Sequence, residues 1–134
     1  MYTHEHKVRI RYAETDQMGY CYYGNYPQFY EIGRVETLRS IGTSYKEIEK
    51  KGFILPVANL TAKYLKPALY DDLITIKTIV KNKPTVKIEF DYEIYNEKGE
   101  LLNIGYTKLV FVNNQTMRPC FCPDFLTNLF AKYF

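Results

Sequence analysis

The sequence predicts an α+β fold in which an antiparallel sheet of about five strands wraps around one long helix. Two observations lead to this class. One segment near the N-terminus repeats its apolar residues with helical periodicity, and most of the chain that follows alternates apolar and polar residues between short turns. Strands joined by hairpins pair antiparallel, so we expect the later segments to form one sheet that buries the helix.

The long helix is predicted to start near Asn25 and to end at Gly42. Asn25 is a favourable N-cap residue, and Pro27 lies in the first turn, where its missing N–H group is not needed. A length of about 17 residues corresponds to roughly 25 Å. Apolar residues recur at intervals of three along one face of the helix; they are Phe29, Ile32, Val35, Leu38 and Ile41.

Shorter elements surround the long helix. A strand with one polar face is predicted at residues 4–12, and a short helix capped by Thr43 or Ser44 is predicted at residues 45–51. A terminal helix is predicted within residues 123–134. The remaining strands are predicted at residues 53–65, 73–80, 86–95 and 101–112.

Length and composition indicate a single domain over residues 1–134. The net charge is +3, and the Lys and Arg residues are spread along the chain, which argues against a nucleic-acid partner. Three cysteines without framework spacing favour a reducing, cytoplasmic setting. The N-terminus lacks the apolar run of a signal peptide, and no stretch approaches the roughly 20 apolar residues of a membrane span.

A loop with two glycines lies between the first strand and the long helix. It carries one carboxylate at its centre, Asp16, together with Gly19 and Gly24, which permit tight turns. The start of a helix offers unpaired N–H groups and a partial positive charge, and these can hold an oxyanion while a nearby carboxylate attacks or activates water. The alternative is that Asp16 only caps the loop by binding local N–H groups.

Two segments of the chain resemble a known family. Residues 12–26, YAETDQMGYCYYGNY, contain an Asp, a Gly three residues later and an Asn-Tyr pair that opens the helix. Residues 64–73, YLKPALYDDL, resemble the family's connection between two sheet strands. Together with the order of elements, these segments resemble a hotdog-fold thioesterase of the 4-hydroxybenzoyl-CoA thioesterase family. The resemblance implies hydrolysis of an acyl-CoA or acyl-carrier-protein thioester to a free acid and a thiol.

The resemblance also implies roles for individual residues. Asp16 is expected to act as general base or nucleophile, and the N–H groups at Tyr23 and Gly24 are expected to hold the carbonyl oxygen. Many members of the family carry His where this chain has Tyr23, but a backbone N–H group does not depend on that side chain. Gly19 and Asn25 are candidates for substrate binding, with a tight turn and a helix cap as the alternatives.

Such a substrate brings coenzyme A, whose phosphates are anionic. Lys63, Lys66 and Arg118 are candidate phosphate contacts, and a solvated surface position is the alternative for each. No metal is expected, and no cofactor other than the coenzyme A of the substrate. The resemblance implies a homodimer or homotetramer with the site at a subunit interface, which exposed strand edges would favour.

Some side chains near the predicted site have competing interpretations. Cys21 has no nearby His to activate it as a nucleophile, so a packing role is favoured. Glu31 and Glu36 on the helix could serve as rival bases. Pairing with a neighbour is favoured for both, for example between Glu31 and Arg34 at a spacing of three residues.

Two other functions remain open from the sequence. A hotdog dehydratase or hydratase would rely on a catalytic His, and the chain has only His4 and His6, which are far from the helix in sequence. These two His also share a strand face, but nothing nearby completes a metal-ligand set. The other function is that of a non-catalytic acyl-CoA or acyl-carrier-protein binding module. The acyl group itself is not specified by the sequence.

Overall fold

The computed structural model describes residues 1–134 and contains three α-helices and eight β-strands. The strands are β1 (Tyr2–Arg9), β2 (Phe53–Ile54), β3 (Val57–Tyr64), β4 (Leu73–Val80), β5 (Lys87–Tyr95), β6 (Leu101–Val110), β7 (Val112–Asn113) and β8 (Arg118–Pro119). The helices are α1 (Tyr26–Ser40), α2 (Tyr45–Lys50) and α3 (Asp124–Phe130). Short 3₁₀ turns lie at Tyr12–Glu14, Tyr23–Asn25 and Ala131–Tyr133.

Five strands form one antiparallel sheet in the order β1-β4-β5-β6-β3, and α1 packs against it. Gly33 permits this close packing, because a Cβ atom there would lie 2.5 Å from Oγ1 of Thr78 and 2.8 Å from Cγ2 of Ile76. The predicted α+β hotdog arrangement, five strands around one long helix, is confirmed.

The core lies between α1 and the sheet. Phe29, Tyr30 and Leu38 project from the helix into it and are fully buried. The ring of Tyr30 stacks on the ring of Tyr92 from β5, with centroids 4.5 Å apart. Because such interiors are close-packed, these contacts fix the helix, and therefore its N-terminal end, relative to the sheet.

Prolines and turns divide segments that the sequence predicts as single strands. The predicted strand at residues 53–65 is divided at Pro56 into β2 and β3, because proline has no N–H group for a sheet ladder. The predicted strand at residues 101–112 ends at Val110, and β7 instead joins β2 and β8 in a small second sheet. The first strand ends at Arg9, and residues 12–14 form a 3₁₀ turn.

The helix ends agree with the prediction except at Asn25. Gly42 ends α1 with φ +102°, and Oγ of Ser44 caps α2 by accepting from the N–H of Glu47 at 3.1 Å. Asn25 directly precedes α1, as predicted, but its side chain makes no capping hydrogen bond. Its backbone is already helical, and its side chain donates instead to the carbonyl of Glu14 at 2.8 Å. A preceding 3₁₀ turn therefore occupies the position where a cap was expected.

The predicted pair between Glu31 and Arg34 is absent. Arg34 is buried and donates from Nε to the hydroxyl of Tyr45 at 2.7 Å, whereas Glu31 is exposed. Glu36 does pair with a neighbour, since its carboxylate lies 2.5 Å from the guanidinium of Arg39. Spacing alone does not show that Arg34 lies on the buried side of the helix.

The helices of this chain are too short or too polar to cross a membrane.

Candidate active site

The loop that carries Asp16 is a tight turn closed by backbone hydrogen bonds. The N–H of Gly19 donates to the carbonyl of Asp16 at 3.0 Å, and the N–H of Asp16 donates to the carbonyl of Tyr20, also at 3.0 Å. Gly19 has φ +87°, a conformation that favours glycine. The structure therefore supports a turn role for Gly19 beside any contact with substrate.

The carboxylate of Asp16 retains one oxygen without a hydrogen-bond partner. Its Oδ1 accepts from the N–H of Met18 at 2.9 Å, which is the local bond that a loop-capping role requires. No cation lies within ion-pair distance, and Oδ2 has no donor from the chain. Asp16 is half-buried. The capping interaction thus leaves one carboxylate oxygen available for chemistry.

Hydrogen bonds fix this loop against the start of the helix. The carbonyl of Glu14 accepts both from the N–H of Tyr22 and from Nδ2 of Asn25, each at 2.8 Å. The side chain of Glu14 is 7% exposed and accepts from the N–H of Arg11 at 2.7 Å. Asn25 is therefore an anchor between loop and helix. Glu14, for which the sequence predicts no role, supplies the accepting carbonyl.

The helix start presents two backbone N–H groups without partners. The 3₁₀ turn Tyr23–Asn25 leads directly into α1, and the N–H groups of Tyr23 and Gly24 have no acceptor within the chain. They stand at the positive end of the helix dipole. Both N–H groups are therefore free to donate to an acceptor from outside the chain.

A cleft of about 360 Å³ joins the loop to the helix start. Asp16, Tyr23 and Lys66 all line it. Its walls are mostly apolar and aromatic, which suits an acyl chain beside a few polar groups. The full lining is Asp16, Met18, Tyr20, Cys21, Tyr23, Tyr26, Tyr64, Leu65, Lys66 and Pro67. A larger cleft of about 460 Å³ adjoins it, but that cleft lacks Asp16 and the helix start.

The three candidate phosphate contacts do not lie together. Lys66 lines the cleft, and its Nζ is 2.7 Å from Oε2 of Glu100. Lys63 stands between Ala62, which packs on the core, and Tyr64, which lines the cleft, so strand alternation places Lys63 on the opposite face of the sheet. Arg118 is exposed on β8 and does not line the cleft.

The aromatic wall of the cleft is the main feature that is not predicted from the sequence. Tyr64 and Tyr26 pack edge-on, with ring centroids 5.1 Å apart, and Tyr64 also contacts Tyr23 at 6.1 Å. The alternation of β3 contains a signal for this, because Ala62 and Tyr64 share one face. It does not show that this face meets the helix start.

Cys21 lines the same cleft but is a poor nucleophile. Burial raises the pKa of its thiol to about 11, and the neighbouring carboxylates of Glu14 and Asp16 act in the same direction. The thiolate is the reactive form, so the packing role predicted for Cys21 agrees with its surroundings. His4 and His6 lie on β1 and do not line the cleft. No three His, Cys, Asp or Glu side chains cluster in a way that could hold a metal ion.

Comparison with known proteins identifies the family. The model of the thioesterase-like superfamily matches residues 10–130. The chain is 31% identical to the acyl-CoA thioester hydrolase YbgC of Escherichia coli over 125 residues, which cover 93% of each protein. It is 32% identical over 133 residues to the acyl-acyl carrier protein thioesterase ATL3 of Arabidopsis thaliana, covering 97% of this chain and 68% of that one.

A solved structure agrees over nearly the whole chain. The DHNA-CoA thioesterase of Staphylococcus aureus superposes with a TM-score of 0.91 and 35% sequence identity, covering 99% of this chain and 91% of that chain. The family and the fold predicted from the sequence are confirmed, and so is the prediction of an enzyme. The chain belongs to the thioesterase-like superfamily and is a hotdog-fold enzyme that hydrolyses thioesters.

Proposed function

We propose that this enzyme hydrolyses acyl-CoA thioesters in the cleft between Asp16 and the start of α1. The observation that carries the proposal is the shared cleft: a carboxylate with one free oxygen and a residue with an unpaired N–H group line the same mostly apolar space. The relatives named for acyl-CoA and DHNA-CoA hydrolysis support coenzyme A as the carrier. An acyl-carrier-protein thioester is the alternative substrate, because the Arabidopsis relative is named for hydrolysis of that class.

Two routes fit this geometry. In the first, Asp16 takes a proton from water as the water oxygen attacks the thioester carbonyl carbon. The C–S bond then breaks, the proton passes to the leaving sulfur, and acid and thiol result. In the second, a carboxylate oxygen of Asp16 attacks that carbon and expels the thiolate, and water hydrolyses the resulting mixed anhydride. Both routes place negative charge on the former carbonyl oxygen.

The N–H groups of Tyr23 and Gly24 are proposed to bind that oxygen. Removal of one donor of this kind typically costs about 3–4 kcal/mol of transition-state stabilisation. The role belongs to the backbone, so it does not depend on the side chain of Tyr23. Neither route draws on a metal or a cofactor, because coenzyme A enters as part of the substrate. Within one subunit, Lys66 is the only one of the three basic candidates that lines the cleft.

The test is thiol release from a panel of straight-chain and aromatic acyl-CoA thioesters, measured with wild type and Asp16→Asn. We expect Asp16→Asn to lower kcat by about 10²-fold or more, since the amide can neither accept a proton nor attack. Asp71→Asn is the matched control, because Asp71 is an exposed carboxylate outside the cleft whose φ of 69° suits Asn. Comparable turnover in all three proteins would remove Asp16 from the reaction.

We further propose that the enzyme is a homodimer or homotetramer in which copies meet at β3. This strand forms one edge of the sheet, and it exposes Val57, Leu60 and Tyr64 by 46%, 39% and 48%. An unpaired edge with apolar side chains favours pairing with a second copy.

Light scattering after gel filtration tests the assembly. Wild type is expected at a multiple of 15.9 kDa, and Leu60→Glu is expected to shift toward the monomer because like charges would meet at the paired edge. Thr3→Glu puts the same charge on the opposite edge strand, β1, and should leave the mass unchanged. A wild type that elutes as a monomer would refute the assembly.

A cytoplasmic setting is also part of the proposal. Cys21, Cys120 and Cys122 are all free thiols, which suits a reducing compartment. Fractionation of the source cells followed by immunoblotting checks it, and recovery outside the cytoplasmic fraction would contradict it.

A further inference from the structure

Tyr64 links the edge of the sheet to the start of the long helix. It is the last residue of β3, and its hydroxyl donates to the carbonyl of Tyr23 at 3.0 Å. Its ring packs edge-on against the rings of Tyr23 and Tyr26, with centroids 6.1 Å and 5.1 Å away. Ring and hydroxyl therefore both hold the 3₁₀ turn that opens the helix.

The accepting carbonyl belongs to a peptide unit with an unpaired N–H group. The carbonyl of Tyr23 and the N–H of Gly24 lie in one planar unit, so a bond that fixes the carbonyl also fixes the direction of the N–H group. The carbonyl accepts a second bond, from the N–H of Tyr26. Hydrogen bonds in a chain polarise one another, so two donors on the carbonyl strengthen the N–H group as a donor.

We propose that Tyr64 is a positioning residue for thioester hydrolysis: its hydroxyl orients and polarises the Tyr23–Gly24 peptide unit that offers its N–H group to the substrate oxygen. The inference rests on the proposed function, in which this N–H group stabilises the oxyanion. The contribution is largest in the transition state, where the oxygen carries most charge, so it belongs in kcat and not in KM.

The test compares Tyr64→Phe with wild type in the thiol-release assay, using the acyl-CoA thioester that wild type hydrolyses fastest. Phe keeps the ring contacts with Tyr23 and Tyr26 and removes only the hydroxyl. We expect kcat to fall about tenfold, equivalent to about 1.4 kcal/mol, with KM within twofold of wild type. Because the substitution removes one hydroxyl and keeps the ring contacts, the Tm is expected to stay within about 2 °C of wild type.

Tyr106→Phe is the matched control, since Tyr106 lies on the neighbouring strand β6 and its hydroxyl bonds to Glu89 at 2.5 Å, away from the cleft. It should leave kcat and KM unchanged. A Tyr64→Phe variant with the wild-type kcat, or with a raised KM and unchanged kcat, would overturn the positioning role. If Asp16→Asn is inactive in the same assay, the failure of the positioning role does not affect the proposed function. A fully active Asp16→Asn would instead overturn the proposed function itself.

Discussion

Removal of the hydroxyl of Tyr30 is expected to destabilise the fold because it leaves a buried amide without a partner. Tyr30 on α1 donates to Oδ1 of Asn103 on β6, and both residues are completely buried. Nδ2 of Asn103 already lacks a partner. The substitution Tyr30→Phe keeps the stacking on Tyr92 but leaves neither polar atom of the amide with a hydrogen bond.

The magnitude follows from the burial of both groups. A buried acceptor that loses its donor costs about 1–3 kcal/mol, whereas replacement of both partners by apolar groups of similar shape is nearly neutral. For a domain of this size, a loss of about 2 kcal/mol lowers the Tm by roughly 6–10 °C. Asn103→Leu in the Tyr30→Phe background should therefore restore most of the loss.

Urea denaturation of wild type, Tyr30→Phe and Tyr30→Phe/Asn103→Leu measures both effects, with the slope m as a check that unfolding stays two-state. The double variant is expected within about 1 kcal/mol of wild type. The reasoning would be refuted by a Tyr30→Phe protein as stable as wild type, or by a double variant no more stable than Tyr30→Phe.

Two further predictions concern titrating side chains. Cys21→Ala should keep kcat within about threefold, because a thiol with a pKa of about 11 is only about 0.1% thiolate at pH 8; a hundredfold loss of thiol release in a folded variant would contradict this. The pKa of His4 is lowered from 6.5 by burial and then by His6, so the unfolded chain binds its proton more readily than the native one. Stability from this residue is therefore present above pH 6.5 and is lost as the pH falls below it. Urea denaturation at pH 7.5 and pH 5 should show that the free energy of unfolding changes less with pH in His4→Gln than in wild type. An equal change in both proteins would show that His4 does not contribute to the pH dependence of stability.

The fold could be predicted because its signals are local. Alternation in β4 and β5 and the three-residue recurrence along α1 are visible in short windows of sequence. The predictions fail where tertiary contacts determine the hydrogen-bond partner of a side chain. Asn25 has the chemistry of an N-cap, yet its amide is better used by the carbonyl of Glu14, eleven residues earlier in the chain. Arg34 has the spacing of an ion pair with Glu31, but it lies on the buried side of the helix.

The parts of the candidate site also differ in how far they can be predicted from the sequence. Asp16 and the helix start lie within one short segment, so the sequence brings them together. Tyr64 reaches Tyr23 across 41 residues, and which strand ends beside the helix depends on the strand order of the sheet. Lys63 is next to Tyr64 in β3, but adjacent residues of a strand point to opposite faces, so Lys63 does not line the cleft.

A crystal structure of the Asp16→Asn variant with an intact acyl-CoA thioester tests the central geometry most directly. We expect the carbonyl oxygen about 2.7–3.1 Å from an N–H group of Tyr23 or Gly24, and the carbonyl carbon within about 3.5 Å of the side chain at position 16 or of a water bound to it. A thioester bound with its carbonyl away from both the helix start and position 16 would contradict the account.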